Sequence, residues 1–196
     1  MLNKPFIIGI TGGTGCGKTT LLNCIAEKGG LILDCDAIYH RLLQEDPQLL
    51  HTIENRFPGV VEDGQLQRKK LGNIVFADPG ALADLNRITH TAVKNEVLRL
   101  LKSGPKLAAI DAIALFEGGL AEMCHTTVAV TAPEADRVQR LMARDGISQD
   151  YAQKRIAAQR SSEEFSAMCQ YTLENNGELG AFRAKCLAFL SEFDII

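Results

Sequence analysis

The sequence holds no apolar stretch near the roughly 18 residues that a membrane-spanning helix needs, so no span is expected. Its start, Met1-Leu-Asn-Lys-Pro-Phe-Ile-Ile, lacks the long apolar run and cleavage site of a leader and leads straight into an expected strand. A basic excess is missing too, since the formal net charge is -3. No global field draws such a chain to nucleic acid or to an anionic membrane, and any anion site has to be built locally. No Cys-x-x-Cys pair occurs among Cys16, Cys24, Cys35, Cys124, Cys169 and Cys186. That spacing argues against a zinc site, and a disulfide framework is not expected in a chain read as cytoplasmic. The cysteines are read as small core fillers, except Cys16, which lies inside a glycine-rich loop. No internal repeat and no low-complexity linker interrupts the chain.

What is present suits one domain: 196 residues, 46% of them apolar and 23% charged, are enough to bury a core. Phe6-Ile-Ile-Gly-Ile10 is a short apolar run that ends in glycines. Leu21, Leu22, Ile25 and Ala26 then share one helix face, and Gly29-Gly30 stops that helix. Leu31-Ile-Leu33 reads as a second buried strand ending at Asp34-Cys-Asp36. Strand, helix and strand in so short a span predict a βαβ unit, and hence an α/β fold with a mostly parallel sheet flanked by helices. From Ala37 to Lys102 no strong strand is evident. Leu82, Leu85, Ile88 and Ala92 recur at helical spacing up to the stop at Gly104-Pro105. Leu107-Ala-Ala-Ile110 and Thr127-Val-Ala-Val130 predict two further strands. Pro133 opens a helix through Arg144, Ser148 and Asp150 cap another running to about Gln159, and a last helix carries Leu179, Phe182, Cys186, Phe189, Leu190 and Phe193.

Gly12-Gly-Thr-Gly-Cys-Gly-Lys18-Thr19 matches G-x-x-x-x-G-K-[ST] in full, in the strand-to-helix context that gives the motif its meaning. Successive backbone N–H groups can turn inward around a phosphate there, and the helix that follows adds its positive end. Lys18 can reach the β- and γ-phosphates of ATP, and the Thr19 hydroxyl can serve Mg²⁺. Asp34 and Asp36 stand at the strand end where ligands bind in parallel sheets. If strand geometry persists, their side chains point the same way, toward the nucleotide. One would hold a Mg²⁺-bound water and the other would take the acceptor's proton; a turn-forming pair is the alternative.

Arg137, Arg140, Arg144, Arg155 and Arg160 follow the fourth strand, and Arg140 and Arg144 share a face. They suit either the charge of a transferring phosphoryl group or a solvated helix face. Gly146 offers a hinge for a lid over about 145–168. His90 is either structural or functional, and Glu117 either binds substrate or caps a loop. His40, His51 and His125 show no pattern.

These motifs fall in an order that resembles the dephospho-CoA kinase family over nearly the whole chain. The similar elements are Ile10-Thr-Gly-Gly-Thr-Gly-Cys-Gly-Lys-Thr19, Asp34-Cys-Asp36, Leu71-Gly-Asn-Ile-Val-Phe76, and Leu85-Asn86 with His90. Leu115-Phe-Glu117, Arg140-Leu-Met-Ala-Arg144, Arg155-Ile-Ala-Ala-Gln159 and Asn175-Asn-Gly177 follow. The resemblance implies transfer of the γ-phosphoryl group of ATP, with Mg²⁺, to the ribose 3′-hydroxyl of dephospho-CoA. It implies a core (about 1–36, 105–145 and 169–196), a helical substrate insertion (about 37–104) and the lid. Nucleotide contacts are expected from Gly13, Thr14, Gly15, Cys16, Gly17, Lys18, Thr19 and Thr20, with Asn175 beside the adenine. Asp36, His90, Leu115 and Glu117 are expected on the substrate side, and Lys18, Arg140 and Arg144 in catalysis.

The Asp-x-Asp pair also resembles that of shikimate kinases, which implies Asp36 as base and Asp34, with Thr19, on the metal side. Thr91, Ile113, Arg137 and Phe165 depart from the family's Pro, Pro, Gln and Lys. A monomer is expected, with no nucleic-acid or membrane partner. The alternative is another P-loop kinase acting on a nucleoside or nucleoside monophosphate. A GTPase switch is disfavoured, because neither Asp-x-x-Gly nor Asn-Lys-x-Asp occurs. An ATP-binding regulatory module without catalysis is a further reading.

Overall fold

Apolar runs buried from both sides dictate the centre of the molecule. In the computed structural model, which describes residues 5–193, strand β1 (Phe6–Thr11) continues through Lys18–Glu27 (α1) into β2 (Leu31–Asp34). The expected core limits at 1–4 and 194–196 lie outside the described residues. With β5 (Leu107–Asp111), β6 (Thr126–Thr131) and β7 (Tyr171–Glu174), these strands form a five-stranded sheet of order β2-β5-β1-β6-β7. Every pairing is parallel. β6 is buried at each of its positions, as an inner parallel strand with both faces covered has to be.

One face is covered by α1 and by α9 (Leu179–Ser191). Leu21, Ile25, Phe182, Phe189 and Leu190 pack there on Ile8, Ile10 and Val128. The other face carries the helical insertion. Its elements are α2 (Cys35–Glu45), α3 (Pro47–Arg56), a small hairpin of β3 (Val61–Glu62) and β4 (Gln65–Leu66), α4 (Arg68–Val75) and α5 (Pro79–Leu101). Asp46 and Asp78 cap α3 and α5 with their carboxylates, each just before a proline at the first helical position. Ile38, Leu42, Ile53, Val93 and Val97 turn inward onto Ile7, Leu33 and Ile110. Helix thus lies on both faces of the sheet.

After β6 come α6 (Glu134–Asp145), α7 (Gln149–Ala157) and α8 (Ser162–Met168). Gly146, in the left-handed region at φ 65, ends α6. Val138, Leu141, Ala152 and Ile156 join α6 to α7 in a small core of their own. Among the described residues no helix is long and apolar enough to cross a membrane.

Candidate active site

The connection from β1 to α1 is shaped by what holds its carbonyls. Arg137 Nε donates to Thr14 O (2.9 Å), Arg140 Nη1 to Gly15 O (3.1 Å), and Asn175 Nδ2 to Cys16 O (2.9 Å). Lys18 Nζ donates to Gly12 O at 3.0 Å. The loop so held borders a cleft of about 410 Å³ lined by residues 13–19. Inward-facing amides at a helix N-terminus form an anion site.

Two glycines are required by close approach. A Cβ on Gly13 would lie 2.2 Å from Arg137 Nη2, and one on Gly17, whose φ is 99, would lie 2.3 Å from Asn175 Nδ2. Thr19 lines the cleft, whereas Thr20 sits one position on, its N–H donated to Gly17 O at 3.0 Å.

The two carboxylates after β2 do not continue as a strand. Asp34 is the N-cap of α2 and accepts the N–H of Ala37 at 2.9 Å, while Asp36 lies in that helix's first turn. Strand alternation therefore does not set their directions, and the expectation that both point the same way is corrected. Asp36 lines the phosphate cleft; Asp34 does not. The cleft's second acid is Asp111, at the end of β5. Its Oδ1 is 4.0 Å from Lys18 Nζ and is buried without a hydrogen-bond partner. Burial pushes the Asp111 carboxyl up to about 6, with Lys18 opposing the rise and Asp34 and Asp36 adding to it.

Arg140, Arg144 and Arg155 also line the cleft. Asp145 accepts from Arg144 (2.7 Å) and Arg155 (2.7 Å) and so ties α6 to α7. Those guanidinium groups, Arg144 first, hold the Asp145 carboxyl down to about 2. Arg160 pairs with Glu117.

A second cavity, of about 210 Å³, lies between α2, α5 and the segment after β5. Tyr39, Leu85, Asn86, His90 and Ile113 line it, and so does Asp36. Asp36 and Ile113 are the residues common to both cavities. His90, expected on the substrate side, lines this cavity. Leu115 does not: it is 0% exposed in the core, so its expected contact with substrate is corrected. Glu117 stands outside the cavity lining with its carboxylate on Arg160, while the neighbouring Gly118 lines the cavity.

Asn175 is likewise corrected, because it is buried with its amide on Cys16 O. Asn176 is the residue that faces the adjoining cavity of about 600 Å³ at the ends of β6 and β7. Asp111 and Gln159 are the site residues that sequence reasoning missed. The first ends a strand that the apolar run already marked.

A profile of the dephospho-CoA kinase family matches residues 6–180. The chain belongs to the dephospho-CoA kinase family. The dephospho-CoA kinase of Deinococcus radiodurans is 36% identical over 195 residues, covering 97% of this chain and 94% of that one. A crystal structure from Thermus thermophilus, described as TT1252, shares the fold at a TM-score of 0.81 with 34% identity, over 97% of this chain and 99% of that one. The dephospho-CoA kinase from Campylobacter jejuni aligns at a TM-score of 0.65 with 24% identity, over 96% of each chain.

The four positions expected to depart from the family's pattern each have a place in this structure. Phe165 is 1% exposed on α8, which lies against β6, so it is an anchor for that helix rather than a missing phosphate ligand. Arg137 is buried and grips the loop from α6. Ile113 forms part of the wall shared by the two cavities. Thr91 lets α5 run unbroken from Pro79 to Leu101, and its hydroxyl donates to Arg87 O at 2.7 Å.

Proposed function

We propose that this chain transfers the γ-phosphoryl group of ATP to the ribose 3′-hydroxyl of dephospho-CoA, the last step of coenzyme A biosynthesis, with Asp36 as the general base. The observation that carries the reading is the position of Asp36, whose residue lines both the phosphate cleft and the second cavity. The triphosphate is assigned to the cleft of residues 13–19, the nucleoside to the cavity beside Asn176, and the acceptor ribose to the cavity of His90 and Asn86.

Mg²⁺ fits the residues present. Thr19 offers a hydroxyl in the cleft, and the buried, unpartnered Oδ1 of Asp111 is an acceptor beside the same loop. A hard cation that keeps most of its waters and uses substrate phosphates asks for one or two such groups rather than a protein cage. When bound, Mg²⁺ would supply positive charge against the charge that develops on the phosphates. Thr19 and Asp111 are the residues assigned to hold it; Asp34, committed to its cap, supports them through its charge.

The chemistry assigned to the chain's own groups is short. The Asp36 carboxylate takes the proton of the 3′-hydroxyl as that oxygen forms its bond to the γ-phosphorus. The bond from phosphorus to the β–γ bridging oxygen breaks, and ADP leaves with the electron pair. Lys18 swings from Gly12 O to the β- and γ-oxygens, a move that exchanges a neutral acceptor for a charged one. Arg140, Arg144 and Arg155 face the same cleft and stabilise the equatorial oxygens. This reading places the enzyme in the cytoplasm as a monomer.

The test is a transfer assay with dephospho-CoA, ATP and Mg²⁺, followed by mass analysis and assignment of the phosphate position. Product phosphorylated on the ribose 3′-hydroxyl is expected. Transfer to adenosine or AMP with comparable kcat/KM would sink the assignment of the acceptor.

A further inference from the structure

Gln159 lies two residues beyond the end of α7, yet its side chain enters the phosphate cleft. Its Oε1 accepts the Thr14 N–H at 2.8 Å and Arg137 Nη2 at 3.4 Å. Both partners are donors only, so the oxygen and not the amide nitrogen faces them. Thr14 N–H is one of the loop amides that an anion would use. Arg137 is buried on the other side of it, its Nε on Thr14 O at 2.9 Å. Among the described residues Arg137 has no carboxylate within ion-pair distance, so its guanidinium is a buried cation served by two neutral oxygens. Two convergent donors, one of them cationic, around a neutral amide oxygen make a site better matched to a charged oxygen.

We propose that Gln159 Oε1 stands in for a phosphate oxygen of the nucleotide, and that Gln159 is a positioning residue displaced when the triphosphate binds. The phosphate oxygen inherits both donors, Thr14 N–H and Arg137 Nη2. Release of Gln159 frees the end of α7 from the loop, so occupancy of the loop is communicated to the segment that carries Arg155 and Arg160. This inference rests on nucleotide phosphates occupying the Gly12–Thr19 loop, which wild-type ATP binding reports separately.

The experiment compares ATP binding by calorimetry to the full chain and to Gln159→Ala and Gln159→Glu, with the Thr14 amide followed by nitrogen–proton NMR. Removing one neutral hydrogen bond that competes with the ligand should tighten ATP about 2- to 10-fold in Gln159→Ala. The Thr14 amide of the free variant should lose its hydrogen-bonded shift and exchange faster, and the tighter ATP binding beside it is what a merely structural role would not produce. Gln159→Glu puts a charged oxygen on both donors and should weaken ATP about 10-fold or more. In the wild type, the Gln159 side-chain amide should shift at the same ATP concentration as the Thr14 amide. Unchanged or weaker ATP binding in Gln159→Ala would overturn the proposal, as would a Thr14 amide indifferent to that substitution. Absent ATP binding by the wild type would instead remove the reading of the loop itself.

Discussion

Asp111→Asn should make the metal-free protein more stable at neutral pH while stripping it of activity. The Asp111 side chain is 16% exposed and its nearest cation is 4.0 Å away. Burial raises it from 3.8 to about 6, against the pull of Lys18 and with the push of Asp34 and Asp36. A carboxyl raised in the folded state stabilises that state while protonated in both states, and loses this advantage as pH climbs through its folded value. The ionisation therefore costs nothing below about pH 4 and reaches its full cost above about pH 6. Some two units at ~1.4 kcal/mol each make that cost ~3 kcal/mol.

An asparagine cannot ionise, so the gap between Asp111→Asn and wild type should open across this window and then stay level. For a chain of this size ~3 kcal/mol is about 6–12 °C in Tm. Urea unfolding of both proteins at a series of pH values, with chelator present, measures the gap directly. On the proposed assignment of Mg²⁺ to Asp111, adding Mg²⁺ and ATP should reverse the order, because only the wild type would gain from holding the metal. A gap that is flat from about pH 4 to pH 7 would refute the ionisation argument, since it would show that the carboxylate is solvated or compensated in the folded state.

Three further outcomes follow from the site and its supports. Asp36→Asn should lower kcat by about 10²- to 10⁴-fold, with little change in the Mg²⁺ concentration for half-maximal rate; a variant near wild type in kcat would remove Asp36 as base. Lys18→Ala should cut kcat far more than it weakens ATP in equilibrium binding, because its charge matters most on the transferring group. Equal losses in both would mean that Lys18 only binds. Phe165→Ala should cost about 3–5 kcal/mol in unfolding free energy, from the lost contacts and the cavity under α8, and a loss under ~1 kcal/mol would show that α8 is not anchored there.

The parts of the fold that were legible before the structure are those with strong local signals. Phe6–Ile10, the loop and the helix through Ala26 combine an apolar run, a glycine cluster and a 3.6-residue period, and all appear as β1, the loop and α1. β7 was not legible, because Tyr171-Thr-Leu-Glu174 alternates weakly, and only pairing with β6 makes it a strand. The hairpin of β3 and β4 has two residues on each side and no period to read. At the site, spacing brought Asp34 and Asp36 to notice but misjudged their backbone, since a capped helix begins between them. Leu115 sits amid site residues and differs from them only in facing the core, which depends on the turn after β5. Gln159 and Arg137 meet Thr14 from positions far along the chain, and such pairings are a property of tertiary contact alone.

The grip on the loop's carbonyls has a consequence for how the protein is made. The sequence motif is complete by Thr19, but its shape is enforced by Arg137, Arg140 and Asn175, the last of which is 159 positions from its partner Cys16. A ribosome-bound chain that has extruded only β1 and α1 carries the motif without the clamps that turn its amides inward. Nucleotide therefore has nothing to select until β6 has paired with β1, and α6 and β7 have followed it. Binding then favours the finished arrangement over every shorter or misassembled one by mass action. Cellular ATP would act on this chain as a late-stage ligand for proofreading its own folding.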